Sequence, residues 1–181
     1  MKNPTLHSDL PQVNLKSGGL IITSEPKWVI TVLGSCVAVT MFSARARLAA
    51  ICHAMLPHPR PDAANSQLHS AERFRYVSHA LPQMVENFLE KRIPAAEIEV
   101  KLFGGANILH ADNALHQDHW VGNANVAAAR QFLEDCQFSV TAENVGGTRG
   151  CKIIFNTRTG EVLHKSLHRE MKLISHENLD R

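Results

Sequence analysis

Three short apolar runs constrain this chain most: "WVITVL" from Trp28, "CVAVTMF" from Cys36 and "LAAICHAML" from Leu48. Each is β-branched or aromatic enough for a strand, and turn-forming or polar residues bound it. They read as buried strands, yet two of them carry one reactive side chain each. Cys36 directly follows the pair Gly34-Ser35, and His53 stands in the third run.

The rest of the chain reads as further strands and two longer helices. "GLIIT" precedes the first run across the turn "SEPK", and "SARAR" links the second and third as a hairpin. Prolines break the stretch "PHPRPDAANSQ", so it reads as a long loop beside the histidine strand, of a length that is often functional. Phe74, Val77, Leu81, Val85, Phe88 and Leu89 follow helical spacing over 70–92, with Pro82 predicting a kink or a split. "EIEVKLFGGA" reads as a strand entering a Gly-Gly turn, and "GNANVAAARQFLEDC" as a helix starting near Gly122 or Asn123. "FSVTAENVGG", "GCKIIFNT" and "EVLHKSLH" read as strands, with "GGTRG" and "TRTG" as hairpin links. The expectation is one α/β domain dominated by antiparallel sheets and packed with about two longer helices. A polar arm over 1–18 precedes it, extended or flexible, and a charged tail over 169–181 follows.

Composition narrows the function classes. With 181 residues, 44% hydrophobic and 20% charged, the chain suits one packed domain. A net charge of +2, without basic runs interleaved with aromatics, points away from nucleic acid. The start "MKNPTLHSDLPQ" lacks a signal-peptide core, and no apolar run reaches the roughly 18 residues of a membrane helix. The expected place is the cytoplasm, with Cys36, Cys52, Cys136 and Cys151 reduced.

Thiol chemistry then picks among the cysteines. A thiolate nucleophile needs a base, and the base needs a third group to fix its tautomer. Gly34 permits a tight bend, and amides around Gly34 and Ser35 are oxyanion candidates for Cys36, with His53 the candidate base. The bland alternative keeps both as core residues. Cys52 adjoins His53 and should face away from it, whereas Cys136 and Cys151 read as packing residues. His110, Asp112, His116, Asp118 and His119 crowd one stretch but match no tight zinc spacing, and His164 and His168 match still less. "FGGAN" and "VGGTRG" fit turns better than phosphate loops.

"TVLGSCVAV", "HAMLP", "KLFGGANIL", "VGNANVAAARQFL", "AENVGGTRG" and "KIIFNTRTGEV" resemble, in order and wording, the CheD family. These are the chemoreceptor glutamine deamidases of bacterial chemotaxis. The resemblance spans about 19–168 and departs mainly between Asn107 and Val121, where "ILHADNALHQDHW" is longer and richer in histidine. It implies a fold like that of a glutamine-deamidating bacterial toxin and hydrolysis of receptor glutamine amides to glutamate. It implies Cys36, His53 and Thr31 as the catalytic set, with no metal or organic cofactor. It also implies methyl-accepting chemoreceptors as substrates and a CheC-type phosphatase as partner. Glutamate methyl esters are a related substrate, so the residues alone leave amidase and esterase open. A binding module that tunes a CheC-type phosphatase, and a redox or metal sensor, are rivals from other classes.

Overall fold

The computed structural model describes residues 10–59, 72–107 and 120–167. Among these residues, nine strands and two α-helices follow in the order β1 (Gln12–Asn14), β2 (Leu20–Thr23), β3 (Trp28–Leu33), β4 (Val37–Ser43), β5 (Leu48–Cys52), α1 (Val77–Glu90), β6 (Glu99–Gly104), α2 (Val121–Asp135), β7 (Val140–Val145), β8 (Cys151–Asn156) and β9 (Val162–Ser166). One sheet runs β1-β3-β8-β9 and the other β2-β5-β4-β6-β7. Antiparallel pairing dominates among these strands, with β1-β3 and β6-β7 parallel.

The runs from Cys36 and Leu48 are buried because the five-stranded sheet is the middle layer, whereas the run from Trp28 lies in the outer sheet and buries mainly one face. Ala38, Phe42, Ala49, Ile51 and Phe103 face Val29, Leu33, Ile153 and Phe155 of the other sheet. On the opposite face Val39, Met41, Ala50, Cys52 and Leu102 pack with α1 and α2 through Leu81, Met84, Phe88, Ala129 and Leu133. All seven residues of β4 are buried, so period-two alternation is absent from it. Full burial of one such side chain contributes roughly 1.5–3 kcal/mol.

Several expectations need correction. Within 1–18, Gln12–Asn14 is no free arm: it pairs in parallel with Trp28–Ile30, and Leu15 is buried in the core between the sheets. Three residues among prolines are too few to show strand periodicity. The "GGTRG" link forms no hairpin, because β7 lies beside β6 and β8 belongs to the other sheet. β6, α2 and β7 make a crossover unit, and a helix between two strands returns the second one parallel. The "TRTG" link does close an antiparallel hairpin, as does "SARAR".

The helix expected over 70–92 begins at Val77, after a 3-10 turn at Arg73–Arg75 and an extended Tyr76. Pro82 does not split it. The proline lies on the exposed side while Ala80, Leu81, Met84 and Phe88 hold the other side to the sheet. Leu89, counted in the apolar stripe, is 62% exposed. The His110–Asp112 and His116–His119 positions, His168, residues 1–9, most of the loop after Pro57 and the tail over 169–181 lie outside the described residues.

Candidate active site

The strand register brings Cys36 and His53 to one face. Val37 and Ala54 exchange both backbone hydrogen bonds at 2.9 Å, extending the β4-β5 pairing past the end of β5. In that register Cys36 stands opposite Met55, and His53 opposite Ala38. Val37 and Ala54 point to the helix layer, whereas Cys36 packs against the core between the sheets. Cys36 and His53 are therefore diagonal neighbours on that inner face, within reach of a long side chain. Cys52 points the opposite way, into the helix-side core.

Thr31 reaches the same space from the other sheet. It lies on β3 between Val29 and Leu33, which also face inward. Its hydroxyl donates to the Leu15 carbonyl at 2.8 Å and lies 2.7 Å from His53 Nδ1. A hydroxyl has one proton, so with Leu15 taking it, Thr31 accepts from Nδ1–H. The unprotonated nitrogen is then Nε2, which is buried and makes no hydrogen bond among the described residues. The orientation suits a general base.

Charge follows burial. Burial raises the Cys36 thiol above its ordinary value, opposed by its own backbone N–H, which favours the thiolate. Burial lowers His53 below 6.5, opposed by the Leu15 carbonyl. Burial thus favours the neutral form of both groups, thiol and imidazole. Burial pushes Cys52 up to about 11, so it stays an inert thiol. Cys36, Cys52, Cys136 and Cys151 are all unbridged. Among the described residues no three His, Cys, Asp or Glu side chains are placed to hold a metal ion.

The bend before Cys36 is held through its carbonyls. Gly34 C=O accepts from Ala106 N–H at 2.8 Å, and Cys36 C=O from Gly105 N–H at 2.7 Å. Gly104, at φ 97°, passes so close that a Cβ there would collide with the Cys36 carbonyl. Ser35 C=O accepts from Asn125 Nδ2 at 2.9 Å, and the same nitrogen donates to Met55 C=O at 2.9 Å.

Sequence reading missed two participants, Leu15 and Asn125. Leu15 acts through its backbone, which carries no residue signature. Asn125 could have been found: it shares a helical face with Gly122, Val126, Ala129 and Leu133, and an amide inside an apolar stripe needs partners.

Residues 55–166 match the family model described as CheD chemotactic sensory transduction. That match begins beyond Cys36 and His53, but whole-chain similarity reaches them. A probable chemoreceptor glutamine deamidase CheD 2 of Geobacter sulfurreducens is 46% identical over 164 residues, covering 90% of this chain and 94% of that protein. The chain belongs to the CheD family. Probable chemoreceptor glutamine deamidases of Oleidesulfovibrio alaskensis and Maridesulfovibrio salexigens are 43% and 37% identical. They cover 88% and 93% of this chain, and it covers 74% and 99% of them. No helix among the described residues of this CheD-family chain is long and apolar enough to cross a membrane.

Proposed function

We propose that this chain hydrolyses side-chain amides of glutamines on the cytoplasmic helices of chemoreceptors, giving glutamate and ammonia in chemotactic adaptation. The names of its relatives supply the substrate class, and the Leu15–Thr31–His53 hydrogen-bond chain carries the reading of the site. That chain leaves Nε2 free to act as a base on the face that Cys36 shares.

In the proposed reaction Nε2 of His53 takes the Cys36 proton as sulfur attacks the carboxamide carbon. The Ser35 and Cys36 amides receive the oxyanion that forms. Protonated His53 donates to the amide nitrogen, the C–N bond breaks, and ammonia leaves a thioester on Cys36. Nε2 then takes a proton from water, whose oxygen attacks the thioester carbon. Glutamate departs and the thiol regains its proton. Thr31 is neutral, so it orients the imidazole without offsetting the imidazolium charge.

The catalytic unit is taken as 19–168 together with β1. The family resemblance adds the cytoplasm as its place of action and a CheC-type phosphatase as a binding partner. The deciding experiment follows ammonia during incubation with the cytoplasmic fragment of a methyl-accepting receptor. Ammonia release by the parent protein is the expected result. Methanol release from a methylated fragment, with no ammonia, would make the protein an esterase instead.

A further inference from the structure

An acyl-transfer site needs donors fixed before the reaction, aimed where the oxyanion will form. Around Cys36 the backbone amides of the preceding bend are candidates for this role. A trans peptide points its C=O and N–H in opposite directions, and the described residues contain no cis bond. Whatever holds the carbonyls of 34 and 35 therefore aims the amides of 35 and 36.

Ala106 N–H holds the first carbonyl, and Asn125 Nδ2 holds the second. Neither Ser35 N–H nor Cys36 N–H has a backbone acceptor among the described residues. The next peptide is different, because Val37 N–H is used in pairing with Ala54. Two consecutive amides outside the backbone pairing thus flank the nucleophile, and Cys36 N–H faces its own sulfur. We propose that Asn125 is a positioning residue for the oxyanion hole, fixing the Ser35–Cys36 peptide so that the Cys36 amide faces the reacting carbon.

Packing alone accounts poorly for this side chain. Asn125 is wholly buried, and its two acceptors are both carbonyls, so the NH2 end must face them. Its Oδ1 is left without a partner among the described residues, a cost that an apolar residue would not carry. Holding Cys36 beside His53 does not require it either, since the Val37–Ala54 pair already fixes that register. Besides tying the Met55 carbonyl, Asn125 holds the Ser35–Cys36 peptide plane through the Ser35 carbonyl.

The inference rests on Cys36 being an acyl-transfer nucleophile, and its test is independent of the receptor. Acylation of Cys36 by p-nitrophenyl acetate passes through an oxyanion, whereas alkylation by iodoacetamide at a saturated carbon does not. Both rates are measured on the full chain, on Asn125→Ala and on Asn125→Asp, with Cys36→Ala giving the background of the other thiols. Acylation should fall by about 100-fold, the usual consequence of losing one oxyanion donor. Alkylation should be little changed. Rates that fall in parallel, or that both hold, overturn the proposal, as does a parent protein whose Cys36 the ester never acylates. If Asn125→Ala does not fold, the shape-conserving Asn125→Asp decides; if neither folds, Asn125 is a folding element and the proposal fails. A parent that accepts the ester but leaves receptor glutamines untouched loses the substrate reading, while the ratio of rates still tests Asn125.

Discussion

Thr31 Oγ1 has one proton, and the carbonyl of Leu15 takes it. The imidazole must then supply the proton between Thr31 and His53, and Nε2 is left as the unprotonated nitrogen, the one proposed as base. Thr31→Ser should keep most deamidation, because the hydroxyl survives. Thr31→Val keeps the β-branched shape and loses the bond, which is worth roughly 0.5–1.5 kcal/mol, so the rate should drop about ten-fold. Ammonia release and thermal melts on both variants separate the two roles. A Thr31→Val protein as fast as the parent, with Thr31→Ser slower, would make Thr31 a packing residue. The acid limb of kcat/KM carries a second expectation. Burial lowers His53, so the base stays neutral as pH falls through 6.5, and activity should decline only below that value. A limb centred above 6.5 would contradict the assignment.

At the scale of elements, the first strand and the start of α2 are where substitutions should reach the site from outside it. Deleting residues 1–15 removes β1 and the Leu15 carbonyl. The Thr31 hydroxyl is then free to donate to Nδ1, which moves the imidazole proton to Nε2 and disables the base. Deamidation should fall at least as far as in Thr31→Val, measured by the same ammonia assay. At the start of α2, a Cβ on Gly122 would collide with the Gly105 carbonyl. Gly122→Ala should destabilise by about 1–3 kcal/mol, read as a lower midpoint in urea. It should also slow the reaction, because Gly105 holds the Cys36 carbonyl.

The same elements show how far sequence could be read. β3, β4, β5 and both helices were legible because apolar composition and period fix them locally. Cys36 and His53 were legible as candidates, and their shared face follows from a register that residue order alone does not state. β1 and the crossing from β7 to β8 were not legible, since they depend on which sheet a strand joins. The Leu15 carbonyl was invisible for a related reason: every residue has one, and only folding chooses which is used.

For the whole molecule, the buried His53 links folding to pH. The unfolded chain binds a proton there near the ordinary 6.5, and the folded chain resists it. Below that pH the unfolded state therefore binds more protons, so stability should fall as pH drops through 6.5 and recover above it. Urea midpoints for the parent and His53→Gln measure the effect: the parent should show the steeper loss on the acid side. Equal slopes would mean that His53 titrates alike in both states. The most direct test of the central claim follows individual glutamines by mass spectrometry in a receptor cytoplasmic fragment, comparing the parent with Cys36→Ala and Cys52→Ala. Amide-to-acid conversion is expected at particular glutamines with the parent and with Cys52→Ala, and none with Cys36→Ala. Conversion by Cys36→Ala at the parent's rate would contradict it.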